Sequence, residues 1–288
     1  MNKFFVFAFF LCFFLCFLSL PAFSNSLEKR QKDYTLSLYM SGNYFRCIDE
    51  IRKGIFYWNA DRTEGEYFIS CCYFSGKQYH TAVSRLSENN EPRNVMLLSQ
   101  SLFALGEYRE SRDVSLRLLY NTGKIGNCDI LMRRIEPLIY LEKYQDAIAE
   151  LEYYKKNFSS NETLSALEEK LRSSSNIPSH SAEFSVLLSA LLPGLGQTYN
   201  NHYLSGLISL IGVGSTACAG ALLHKRGKTE LAGGAFFLSA VFYCGNLYGA
   251  YNSASEFNTR QKKLYRDSLS ADIPPYDPLK YLNYRNRP

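Results

Sequence analysis

Leu141-Glu142-Lys143-Tyr144, followed by Ala147-Ile148, is the clearest copy of the short pattern that decides the fold of the first half of this chain. Working outward from it, the order of a turn, a Tyr and a small residue three positions later recurs. It appears as Gly42-Asn43-Tyr44 with Cys47-Ile48, as Gly76-Lys77-Gln78-Tyr79 with Ala82-Val83, and as Leu105-Gly106-Glu107-Tyr108 with Ser111. The four tyrosines stand 35, 29 and 36 residues apart. Apolar residues at helical spacing precede each turn: Tyr34 and Leu38; Ile69 and Tyr73; Val95, Leu98 and Leu102; Leu131, Ile135 and Leu138. A second apolar face follows each turn, clearest in Ala147, Ile148, Leu151 and Tyr154. The pattern predicts an all-α repeat domain over residues 25–175.

A period of about 34 residues with a turn–Tyr–x–x–small unit resembles the tetratricopeptide repeat. The resemblance implies a solenoid of helical hairpins. Tyr44, Tyr79, Tyr108 and Tyr144 would fill the gap beside each turn, while small residues such as Ala82 and Ala147 let the second helix pack closely on the first. A closing helix from about Glu162 to Arg172 would cap the stack. The first helices would line a concave face carrying the row Tyr39, Phe74, Phe103 and Ile139, with Tyr67, Met96 and Tyr140 nearby. That face is the candidate groove for an extended or helical peptide, with aromatics as anchors; the alternative is that the same residues pack helix on helix. Two departures stand out. The second copy has only Val83 and Leu86 before Ser87-Glu88-Asn89-Asn90, and Pro137 is expected to kink or break its helix.

The ends speak of export and a membrane. Met1-Asn2-Lys3 precedes an uncharged stretch from Phe4 to Leu20, and Ala22 and Ser24 form a small-x-small site. This order predicts a signal peptide over 1–24, with an uncleaved anchor as the rival. Residues 176–182 form a polar linker, and Ala182 to Leu192 is too short to span and is expected to lie at the interface. Residues 204–223 and 231–251 are free of charge and match the roughly 20 residues a spanning helix needs. The connection His224-Lys225-Arg226-Gly227-Lys228-Thr229-Glu230 carries three positive charges, which favours a cytoplasmic loop. Arg260, Lys262, Lys263 and Arg266 after the second span pull the other way. The tail over 259–288 reads as basic and disordered.

At Leu192-Pro193-Gly194-Leu195-Gly196-Gln197-Thr198-Tyr199-Asn200 a second resemblance arises. This L-P-G-x-G-Q-x-Y-N motif before two glycine-rich spans looks like a bacterial two-transmembrane-helix module of unknown function, here covering residues 183–258. Pro193, Gly194 and Gly196 would let the chain turn into the membrane, and Gln197 and Asn200 would satisfy the freed backbone groups, with Tyr199 at the interface. Gly245 and Gly249 form a G-x-x-x-G pair suited to helix contact, within the hairpin or between copies as a homo-oligomer.

No catalytic reading emerges. The four histidines, His80, His180, His202 and His224, are scattered, and the chain has no phosphate-binding or nucleophile motif. Cys47, Cys71, Cys72, Cys128, Cys218 and Cys244 lack metal-ligand spacing, though Cys47 could pair with Cys71 or Cys72. A net charge of +5 spread along the chain forms no stripe suited to nucleic acid. The expectation is a protein-binding scaffold without cofactor or metal, membrane-embedded at the cytoplasmic membrane with its repeat domain exported. The alternative is a subunit of a transport or envelope-assembly complex whose hairpin makes the main contacts.

Overall fold

The computed structural model describes residues 29–57, 60–120, 126–158 and 162–282. The expected signal peptide lies outside them. Among the described residues every regular element is helical. Helix α1 covers residues 29–40, followed by α2 (Tyr44–Tyr57), α3 (Arg62–Ser75), α4 (Tyr79–Leu86), α5 (Pro92–Ala104), α6 (Tyr108–Ser115), α7 (Asn127–Tyr140) and α8 (Tyr144–Asn157). Then come α9 (Glu162–Arg172), α10 (Ala182–Leu191), α11 (Leu195–Tyr199), α12 (Tyr203–Lys225) and α13 (Thr229–Ser270). The chain forms two compact units. One comprises residues up to Asn161 together with the segment from Ile273 onward, and the other runs from Glu162 to Asp272.

In the first unit each quoted turn has the same backbone. Gly42, Lys77, Gly106 and Glu142 take positive φ of 77°, 59°, 83° and 57°. The next amide reaches back five residues: Asn43 N–H to Leu38 O, Gln78 to Tyr73, Glu107 to Leu102 and Lys143 to Leu138, all at 2.8–3.0 Å. This is the Schellman closure, which satisfies carbonyls that a helix end would otherwise orphan. It reverses the chain within two residues, so the next helix starts at the repeat tyrosine. The small residue one turn into that helix, Cys47, Ala82, Ser111 or Ala147, is fully buried. Ser99 and Ser111 show how close the backbones come, since each hydroxyl bonds the other residue's carbonyl at 2.8–3.0 Å. First helices meet across the pairs, α3 against α5 and α5 against α7.

Two expectations for this half are corrected. Helix α7 runs unbroken through Pro137 to Tyr140. Proline loses its own bond and crowds the carbonyl four residues back, a local disturbance with only three helical residues left before the turn. The C-terminal segment is not disordered where it is described: α13 continues to Ser270, and Leu279 and Leu282 are buried in the first unit. The expected capping helix α9 falls in the second unit, where the Tyr265 hydroxyl bonds Lys170 O at 2.5 Å and Lys170 pairs with Asp272 at 2.6 Å.

The turn geometry sets opposite outcomes for two substitutions. Nothing lies within 4 Å of a methyl group built on Gly106. Gly106→Ala is therefore expected to cost about 1 kcal/mol from conformation alone, and Lys77→Gly to gain about as much. Thermal unfolding of the full chain in detergent, followed by circular dichroism, measures both. A neutral Gly106→Ala would contradict the turn assignment.

Candidate functional site

The row Tyr39, Phe74, Phe103 and Ile139 holds the residue five positions before each repeat tyrosine. The turn brings the two together: Tyr39 meets Tyr44 with ring centroids at 5.3 Å, Phe74 meets Tyr79 at 5.5 Å, and Phe103 meets Tyr108 at 5.3 Å. Tyr140 closes an aromatic cluster with Phe103 at 4.7 Å and Tyr108 at 4.9 Å. Met96 and Ile139 are fully buried, and Tyr39 is buried with its hydroxyl on Ser75. Packing thus claims Tyr39, Met96 and Ile139. They are core residues and not groove lining.

Tyr67 and Phe74 do face a bound segment, and it belongs to the same unit. Residues 273–282 bond to side chains of α3 and α7 and include the short 3-10 turn Pro278–Tyr281. The Tyr67 hydroxyl donates to Pro278 O at 2.8 Å, and the Cys71 thiol approaches the same oxygen at 3.6 Å. Tyr276 meets Phe74 edge-on at 5.8 Å. Burial, and next the neighbouring Cys71, pushes the Tyr67 hydroxyl well above the usual phenol range, so it remains a donor at neutral pH.

The remaining contacts come from charged residues that hydrophobic periodicity passed over. Arg133 on α7 donates to Pro274 O at 2.5 Å and to Glu136 at 2.8 Å, and lies 5.9 Å from the Tyr276 ring. Gln100 on α5 braces it, accepting from Arg133 at 3.1 Å and donating to Glu136 at 3.0 Å. Asp129 accepts from Tyr281 OH and pairs with Lys280 Nζ, both at 2.6 Å. Behind Tyr67, Arg93 stands 4.6 Å over its ring and pairs with buried Glu64. The available signal was the i, i+4, i+7 placement of Asp129, Arg133 and Glu136 on one helix face. Cys47 Sγ and Cys72 Sγ lie 3.5 Å apart as buried thiols, whereas Cys71 turns to the bound segment.

Between α10 and Ser253 the second unit is built inside out: large apolar side chains such as Leu204 and Phe237 are more than 70% exposed, while Ser189, Gln197, Asn200 and Asn246 are buried. Elsewhere in the unit Leu164, Leu167, Leu171 and Leu269 are buried. The approach motif forms the centre. Gln197 accepts from Ser189 Oγ at 2.8 Å and donates to Asn246 O at 2.9 Å. Asn246 accepts from Gly194 N–H at 2.8 Å and donates to Ser189 O at 3.0 Å. Asn200 donates to Gly196 O at 2.8 Å and to Ser253 Oγ at 2.9 Å. Pro193 and Gly194 sit at the reversal between α10 and α11, with Gly194 at φ 89°. The His180 ring is stacked between Tyr199 and Phe257, at 4.2 and 3.9 Å, and its backbone exchanges two bonds with Asn258. So α10 packs on α11 and along α13, and the expected linker is tied to α13 through His180 and Asn258.

Close approach requires glycine at positions beyond the expected pair. A methyl on Gly194 or Gly196 would strike the carbonyl of Gly206 or Ser185 respectively, and one on Gly220 would meet the Phe236 ring at 2.9 Å. A methyl on Gly249 would lie 3.1 Å from Gln197 Nε2, while one on Gly245 would meet nothing within 4 Å. Helices α12 and α13 are both long and apolar enough to cross a membrane, and only 17% of each apolar window is buried.

No protein-family model and no curated protein matches the chain. Among the described residues no cluster of His, Cys, Asp and Glu could hold a metal ion.

Two glycine substitutions separate the motif from the pair. Gly196→Ala is expected to destabilise the second unit by about 1–3 kcal/mol through forced displacement of α10. Gly245→Ala should be neutral or gain up to about 1 kcal/mol from helix propensity. Thermal unfolding in detergent reads both, and equal losses would contradict the packing described.

Proposed function

We propose that this chain is a membrane-anchored protein–protein interaction scaffold. A tetratricopeptide-like helical domain would be held at the outer face of a cytoplasmic membrane by the two-helix hairpin. The observation that carries the binding half is the pair of side-chain donors turned to extended backbone, Tyr67 on Pro278 O and Arg133 on Pro274 O. Donors aimed at main-chain carbonyls beside apolar wells suit an extended peptide better than a small polar substrate. The shared turns at 42, 77, 106 and 142 support the repeat reading, because one closure repeated four times builds stacked hairpins.

Anchoring is supported by the inside-out order of the second unit. A buried, fully bonded polar centre under an apolar exterior is costly in water and favourable in lipid. The charge of the 224–230 connection supports a cytoplasmic loop, with Tyr199, Tyr203, Tyr248 and Tyr251 at the opposite level. Arg260, Lys262, Lys263 and Arg266 on the extension of α13 oppose that bias, so topology is the first test.

A reporter inserted between Arg226 and Lys228 is expected to be active only on the cytoplasmic side; activity on the exported side would overturn the orientation. For the scaffold itself, a photo-crosslinking residue is placed at Phe103 or at exposed Lys156 in the full chain. Protein adducts are expected at 103 and not at 156. Adducts only at positions on α12 and α13 would instead favour a membrane-complex subunit.

A further inference from the structure

Residues 273–282 do more than lie near the repeat helices. Leu279 and Leu282 are buried, Tyr276 is seated against Phe74, and Tyr281 and Lys280 share Asp129. Pro274, Pro275, Asp277 and Lys280 face solvent. The segment is therefore read as a ligand would be. Ile273, Tyr276, Pro278, Leu279, Tyr281 and Leu282 are buried or half-buried, the exposed residues fall between them, and the carbonyls of Pro274 and Pro278 take side-chain donors.

Resting on the peptide-groove reading above, we propose that Ile273–Leu282 is a displaceable cis ligand. The partner it stands in for is an extended polypeptide segment of the same chemistry. That segment has a Tyr for the Phe74 well and a proline carbonyl for Tyr67. It has apolar residues three apart for the Leu279 and Leu282 positions, and a cation and a phenol for Asp129. The pattern on this chain is Pro-Tyr-Asp-Pro-Leu-Lys-Tyr-Leu, from Pro275 to Leu282. Asp129, half-buried on α7, requires the cation: an acidic residue in its place would leave two carboxylates facing each other. Tethering makes the segment a strong competitor, because a short linker presents it at an effective concentration in the millimolar range. A free segment with a Kd of about 10–100 μM then binds the intact chain about 10- to 100-fold more weakly than a chain whose own segment is released.

The test uses the full chain in detergent micelles and a fluorescein-labelled synthetic peptide of the sequence Ala271–Leu282, read by anisotropy. The release variant carries Leu279→Asp and Leu282→Asp, which leave every residue of α3, α5 and α7 unchanged. It is expected to bind the peptide at least 10-fold more tightly than the wild type. Adding Tyr67→Phe and Arg133→Ala to it should return much of that gain. Equal saturable binding by wild type and release variant would overturn the cis-ligand proposal and leave the groove reading standing. Absence of binding by both, with helical content retained, would overturn the two together. Should the aspartates cost the fold, a protease site inserted between Asp272 and Ile273 releases the segment without altering it. The cleaved, washed chain must then gain the same affinity, and failure to do so rejects the proposal.

Discussion

A helix that ends in water leaves its last carbonyls unbonded, and the cheapest internal remedy is to swing one residue into the left-handed region so that the following amide reaches back five positions. This chain applies that remedy at Gly42, Lys77, Gly106 and Glu142, and again at Asn201 and Gly227 in the second unit. Each use reverses the chain in two residues and starts the next helix directly after the turn. In the first unit the reversal carries the repeat tyrosine onto the residue five before it. The small residue three later meets the preceding helix. The spacing of Tyr44, Tyr79, Tyr108 and Tyr144 is thus the shadow of one hydrogen bond. Lys77 and Glu142 hold it without glycine, at a conformational cost that the buried contacts beside them offset.

The two units solve opposite solvation problems with the same turn. In the first, aromatic and aliphatic side chains fill the interior, and the buried ions Glu64, Arg93 and Arg133 are each bonded to partners. In the second, Ser185, Ser189, Gln197, Asn200, Asn246 and Ser253 are buried with bonds that close on one another, while leucines and phenylalanines of α12 and α13 such as Leu204 and Phe237 are exposed. A leftover donor in such a centre would have no water to turn to, which is why the motif couples two amide side chains with two glycines that let backbones touch.

Much of the fold was legible in the sequence and much of the site was not. The four turns, the buried small positions and the two long apolar helices follow from local patterns: a turn residue, a Tyr, a Cβ that must be small, a run without charge. Pro137 misled because its position near a helix end matters more than its presence. The groove misled in a different way. Tyr39, Met96 and Ile139 occupy the right face, but neighbouring rings and helices consume them, and periodicity cannot tell a lined surface from a filled one. Arg133 and Asp129 were missed because long-range partners give a charged residue its role. Residues 273–282 looked disordered, since prolines and scattered tyrosines carry no helical period; their order comes from contacts about 140 to 210 residues away in the chain.

The seating of that segment is the point on which the functional reading turns, and it can be measured in the intact chain. A photo-crosslinking residue in place of Tyr276, activated in the full-length protein in detergent and mapped by mass spectrometry, is expected to join the peptide containing Phe74 or that containing Arg133. Adducts confined to α12, α13 or detergent would contradict it and leave the row of first helices without an occupant.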